Sequence, residues 1–140
     1  MNKSPMWFKV VAVVALLWNL LGCLAFASDL SISAEDIAKL PDAQQALYAA
    51  RPAWAVAATA IAVIGGALGC VCLLLGKRWA FAVLLLSLIG ILAQDYGLFV
   101  VANAATLAGP VAVAMQTIVL LVGVGLVLLS RKGIARGWLT

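Results

Sequence analysis

Four stretches of this chain are long and apolar enough to cross a bilayer, and that bounds almost everything else about it. They run from about Trp7 to Ala27, Ala53 to Gly76, Trp79 to Asn103 and Pro110 to Ser130. A helix rising 1.5 Å per residue needs about 20 mostly apolar residues to cover ~30 Å of hydrocarbon. No water is present there to satisfy backbone N–H and C=O groups, so a spanning run must be helical. The expected fold is all-α: an integral membrane up-down-up-down four-helix bundle forming one membrane domain over residues 1–140. The links Lys77–Arg78 and Ala104–Gly109 are short, which makes the joined helices antiparallel neighbours. Pro110 suits a first helical turn, where its missing N–H costs nothing.

Composition excludes the soluble alternative. The chain is 66% hydrophobic and 10% charged, against roughly half and a quarter in soluble domains. The net charge of +4 does not mark a nucleic-acid partner. The basic residues scatter at the ends of apolar runs, with no patch interleaved with aromatics as single-strand binding needs. They do set an orientation. Lys3, Lys9, Lys77, Arg78, Arg131, Lys132 and Arg136 fall on one side of four spans, leaving Lys39 and Arg51 opposite, beside Asp29, Glu35, Asp36 and Asp42. The positive-inside bias puts both termini in the cytoplasm. Trp7, Trp54, Trp79 and Trp138 sit at span ends, where interfacial aromatics anchor.

Residues 28–52 form the one sizeable extramembrane segment. Ser33 reads as a helix cap with Glu35 and Asp36 in the first turn. Ile37, Leu40, Ala43, Leu47 and Ala50 recur at helical spacing, and Pro41 breaks the run into two helices, the second from about Asp42. The first span also has signal-peptide features, with Ala25-Phe26-Ala27 before Ser28 and a lipoprotein-like Leu20-Leu21-Gly22-Cys23. Its apolar run exceeds the usual signal core of about 7–15 residues, and Trp18 and Asn19 suit a packed helix. Retention is the expectation. Removal would leave three spans.

No motif assigns an activity. There is no G-x-x-x-x-G-K-[ST], no H-E-x-x-H and no C-x-x-C. The chain has three cysteines and no histidine. Cys70 and Cys72 point about 160° apart on a helix, which suits neither a disulfide nor a shared metal. Membrane thiol oxidoreductases with four helices need paired cysteines on the oxidising side, and Cys70-Val71-Cys72 lies near the other end. No enzyme activity, cofactor or metal is expected.

Asp95 is the one charged residue well inside a span. A carboxylate there costs a few kcal/mol on insertion scales and normally faces the bundle interior or a watery cavity. Three readings stay open. With Asn19, Gln116, Asn103 and Gln94 it forms an outer-half polar pocket that binds or moves a polar solute or proton. Alternatively it pairs with Asn19 or Gln116 as interhelical glue at about 0.6–2 kcal/mol per bond, or it is hydrated near the headgroups. On a straight third helix Asp95, Phe99, Ala102 and Thr106 share a face. Gly65, Gly66, Gly69 and Ala62 form a small-residue stripe for close helix packing, and Gly123 and Gly125 suggest the same in the fourth span.

Five segments carry a resemblance: Lys9-Val10-Val11-Ala12-Val13 running on to Leu16-Leu17-Trp18-Asn19-Leu20-Leu21-Gly22, Tyr48, Pro52-Ala53-Trp54, Gly65-Gly66-Ala67-Leu68-Gly69 and Ile134-Ala135-Arg136-Gly137-Trp138-Leu139. Over nearly the whole chain it resembles a family of small bacterial inner-membrane proteins without assigned activity, some of which carry a sugar-transporter label. The resemblance implies an inner-membrane location and no assignable site. Expected partners are the lipid bilayer and either further copies of the chain or another membrane protein. A non-catalytic subunit docking through the small-residue face is the alternative to a binding or transport role.

Overall fold

The computed structural model describes residues 3–101 and 110–140, without the side chains of 101 and 112. All regular structure among them is helical. Helix α1 covers Met6–Leu30, α2 Ala34–Ala38, α3 Asp42–Ala50, α4 Ala53–Leu74, α5 Trp79–Asp95 and α6 Pro110–Ala135. A π-helical turn, Tyr96–Val101, continues α5. Helices α1, α4, α6 and α5 with its π turn are each long and apolar enough to span a membrane. The long side chains Leu17, Leu24, Leu86 and Leu121 point outward, as lipid-facing residues do, while many of the buried residues are small.

Helix α4 lies at the centre of the bundle. It packs most extensively on α5 and then on α1, while α6 packs on α5. Sequence neighbours are thus spatial neighbours, as in an up-down-up-down bundle. The small residues Ala55, Ala58, Ala62, Gly65, Gly66 and Gly69 make this possible, for all are buried along α4. At Gly65 a Cβ would stand 3.1 Å from Ser87 Cβ, at Gly69 it would meet Leu84, and at Gly66 it would overlap the Asn19 amide. The expected small-residue stripe is therefore packing surface, spent inside this chain. Gly123 follows suit, since its Cβ would lie 2.7 Å from Ile91 Cδ1. Gly125 does not, because nothing lies within 4 Å of where its Cβ would be.

Both chain ends and the α4–α5 turn meet at one end of the bundle. Helices α4 and α6 each stop on a glycine in the left-handed region, Gly76 (φ 70°) and Gly137 (φ 77°). In each the Schellman pattern closes the last turn: Lys77 N–H donates to Cys72 C=O at 2.9 Å, and Trp138 N–H to Gly133 C=O at 2.8 Å. Thr140 then clasps the α4–α5 turn, donating to Gly76 C=O at 2.9 Å and accepting from Arg78 N–H at 3.1 Å. Phe8, Cys70, Leu73, Leu84 and Leu139 form an apolar plug above this clasp. Trp138 sits edge-on to Phe8 and Trp7, at 5.2 and 5.7 Å. Trp7, Trp54 and Trp79 keep exposed faces at span ends.

Three boundaries differ from the sequence reading. Helix α1 runs to Leu30 and α6 to Ala135, because polar residues beyond the hydrocarbon still continue a helix. Helix α5 widens into a π turn after Asp95, with Gly97 buried against Ala55 and Trp54. That turn breaks the 100° step, so the face expected to unite Asp95 and Phe99 is not kept. The link 104–109 and the end of the third span lie outside the described residues. The extramembrane segment follows expectation: Ser33 accepts from Asp36 N–H at 3.1 Å, and Pro41 separates α2 from α3.

Candidate functional site

The four spanning helices line a partly open cavity of about 440 Å³, within the ~300–1,000 Å³ typical of small-molecule sites. Its wall is mainly apolar, with polar groups from every helix. Asn19 comes from α1, Thr59 from α4, Ser87 and Gln94 from α5, Gln116 from α6, and Asp29 from the last turn of α1.

These groups form a built arrangement. The Thr59 hydroxyl donates to Gln94 Oε1 at 2.6 Å, with Ala55 C=O 3.0 Å away as its other acceptor. Gln94 Nε2 donates in turn to Gln116 Oε1 at 2.8 Å. The chain thus crosses three helices and ends on an amide bearing two N–H donors. Gln94 is 6% exposed, so its amide is held in place on both sides. Deeper in, Ser87 Oγ donates to Ala62 C=O at 2.6 Å. Asn19 Nδ2 donates to Ala15 C=O at 2.8 Å and lies 3.8 Å from Cys70 Sγ, and its amide fills the space that Gly66 leaves open.

An ion pair lies at the end of the cavity away from the termini. Arg51 Nη1 meets Asp29 Oδ2 at 2.8 Å, and the Tyr48 hydroxyl donates to Asp29 Oδ1 at 2.5 Å. The Arg51 guanidinium also lies over the Tyr48 ring, 5.2 Å from its centre. The hydrogen bond to Asp29, then burial, push the Tyr48 hydroxyl above its ordinary pKa of 10.0. Asp29 lines both the main cavity and a smaller one of about 280 Å³ beside Gln44, Leu47 and Leu98. This trio ties α3 to the end of α1.

The sequence-derived residues divide. Asn19, Gln94 and Gln116 come together on the cavity, with Ala62 in its wall, while Gly65, Gly66 and Gly69 pack beside it. Asp95 does not line the cavity. Its Oδ1 is shielded from solvent and has no hydrogen-bond partner among the described residues. No hydrogen bond joins it to Asn19 or Gln116 among the described residues. Asn103 lies outside the described residues. Sequence reasoning missed Thr59, Ser87 and the Tyr48–Asp29–Arg51 trio. A hydroxyl in a helix can satisfy itself on the preceding turn, as Thr59 can on Ala55, so it raises no alarm in an apolar run. The trio joins residues about twenty apart, which no local pattern reveals.

The cysteines are free, Cys70 being buried and Cys23 directed at Val63 C=O, 3.4 Å away. Among the described residues no cluster of His, Cys, Asp or Glu is arranged to hold a metal. What this wall can do chemically is offer neutral hydrogen-bonding groups inside an apolar enclosure. Comparison with protein-family models, with curated proteins and with solved structures finds no match for this chain.

Proposed function

We propose that this multi-pass membrane protein is a non-enzymatic binding protein whose cavity takes a small, uncharged molecule with hydrogen-bonding groups. The observation that carries the reading is the Thr59–Gln94–Gln116 chain, displayed on the wall of a 440 Å³ cavity. Polar side chains in a bilayer are costly, and simple glue is best buried between packed helices. Here the chain faces open volume instead. The groups are amides and a hydroxyl, which suits a neutral partner better than an ion. Asp95, off the cavity, gives no support to a proton or cation path through it.

Binding is favoured over passage. The apolar plug of Phe8, Cys70, Leu73, Leu84 and Leu139 fills the bundle below the cavity. An accessory-subunit role through the α4 stripe has less support, since that face is already packed against α5 and α1. The location follows from other signals. All the basic residues except Lys39 and Arg51 lie toward the end carrying the termini, which favours termini in the cytoplasm. The bacterial inner membrane rests on the family resemblance.

Native mass spectrometry of the gently extracted protein tests the reading. The wild type should carry a bound small molecule. Gln94→Leu, similar in volume but unable to extend the chain, should lose it while keeping its circular dichroism. A wild type with no adduct, or equal adducts in both proteins, counts against binding at this cavity.

A further inference from the structure

We infer that the ligand is a membrane-dissolved amphiphile, with one long apolar tail and an uncharged head, which enters sideways between α1 and α6. This rests on the binding reading above and names its ligand class and route.

The first support is an open seam. Helices α1 and α6 form no packed interface comparable to α1–α4, α4–α5 or α5–α6. They are brought together at the termini end, where Phe8 and Trp7 meet Trp138. Above that point a groove of about 480 Å³ runs between them, lined by residues such as Val10, Val14, Gly125 and Leu129. The bare Gly125 faces open space in it.

The second support is adjacency. Trp18, Val122 and Leu126 line both the groove and the central cavity, so the two share a wall. The groove is apolar throughout, whereas the cavity carries the hydrogen-bonding chain. Together they present a polar end and an apolar trough. From 116 to 129 along α6 is ~20 Å at 1.5 Å per residue, the reach of a long acyl chain from the outer half toward the opposite leaflet. A trough bounded by two helices holds one chain.

The third support is electrostatic. The cavity wall carries neither Lys nor Arg, and its charged residue, Asp29, is already paired with Arg51. An anionic head would find no counter-charge there.

The test uses the full chain in phosphatidylcholine nanodiscs. The probe is a monoacylglycerol with a palmitoyl-length tail bearing a terminal diazirine. Gly125→Leu places a side chain in the trough, where a Cβ meets nothing within 4 Å, and Ala82→Leu puts the same side chain on an exposed face of α5. Wild type and Ala82→Leu should label on α1 and α6 peptides flanking the seam. Gly125→Leu should lower that labelling on the order of tenfold, as when about two methylenes of tail contact are blocked. Gln94→Leu should lower it as well, through the head. Labelling spread over all lipid-facing helices and unmoved by either variant means annular lipid only and overturns the inference. If native adducts depend on Gln94 but not on Gly125, the lateral route falls while the cavity reading survives. Loss of both dependences removes both.

Discussion

At Gly90 the backbones of α4 and α5 come close enough that a methyl group has no room. A Cβ there would stand 2.8 Å from Ala58 C=O oxygen and 2.9 Å from Ala62 nitrogen, both main-chain atoms that cannot rotate aside. Gly90→Ala should therefore force the central helix pair apart, at about 1–3 kcal/mol or more. Gly125→Ala, with nothing within 4 Å, should be neutral or stabilise by up to about 1 kcal/mol. Denaturant titrations in mild detergent check the contrast, and equal losses would refute the assigned close approach. The same scale explains why the sequence draws the eye to the wrong neighbour. Asp95 stands out because a carboxylate in hydrocarbon is expensive, yet the adjacent Gln94 is the residue turned into the cavity. One step along a helix is 100°, so adjacent residues face different surroundings, and cost alone does not tell which faces in. Gln94 and Gln116 were legible as polar residues in spans. Their partner Thr59 was not, since a hydroxyl able to bond its own helix is inexpensive anywhere in it.

Elements were more legible than sites, because hydropathy and capping act locally. The four spans, the Ser33 cap and the break at Pro41 all follow from patterns within a few residues. What escaped depends on contacts between distant segments. The π turn after Asp95 reflects how Gly97 settles on Ala55 and Trp54, and the clasp at Thr140 depends on the α4–α5 turn. The tie between α3 and α1 belongs to this class and yields a pH expectation. The Tyr48 hydroxyl is raised above 10.0 because its proton is donated to Asp29. A raised pKa means the folded state favours the protonated form, so the tie is complete below about pH 10 and is lost as pH rises through the folded value. With Tyr96→Phe in the background, phenolate absorbance should report Tyr48 alone and titrate above free tyrosine. Adding Asp29→Asn should bring it back down and speed amide exchange in α2 and α3. Titration at or below the ordinary value would mean that the trio does not hold in solution.

Taken whole, the molecule sets a few hydrogen-bonding groups in a mainly apolar interior, is apolar outside and is asymmetric from end to end. One end is closed by the Phe8–Leu139 plug and the Thr140 clasp, and carries most of the basic residues. The other is spanned by the Tyr48–Asp29–Arg51 tie, with the cavity just beneath. This asymmetry makes orientation decisive for which leaflet supplies a ligand. If the basic end is cytoplasmic, the hydrogen-bonding chain lies in the outer half and a tail in the seam points inward, as in an outer-leaflet lipid. Trypsin gives the check on the natural chain. Lys39 is exposed between α2 and α3, and Arg131 and Lys132 are exposed at the far end of α6. Right-side-out vesicles should be cut after Lys39 with α6 spared, and inverted vesicles should show the reverse. Cleavage at Arg131 or Lys132 in sealed right-side-out vesicles would turn the molecule over. The hydrogen-bonding chain would then serve the inner leaflet, and an amphiphile would be drawn from the cytoplasmic side instead.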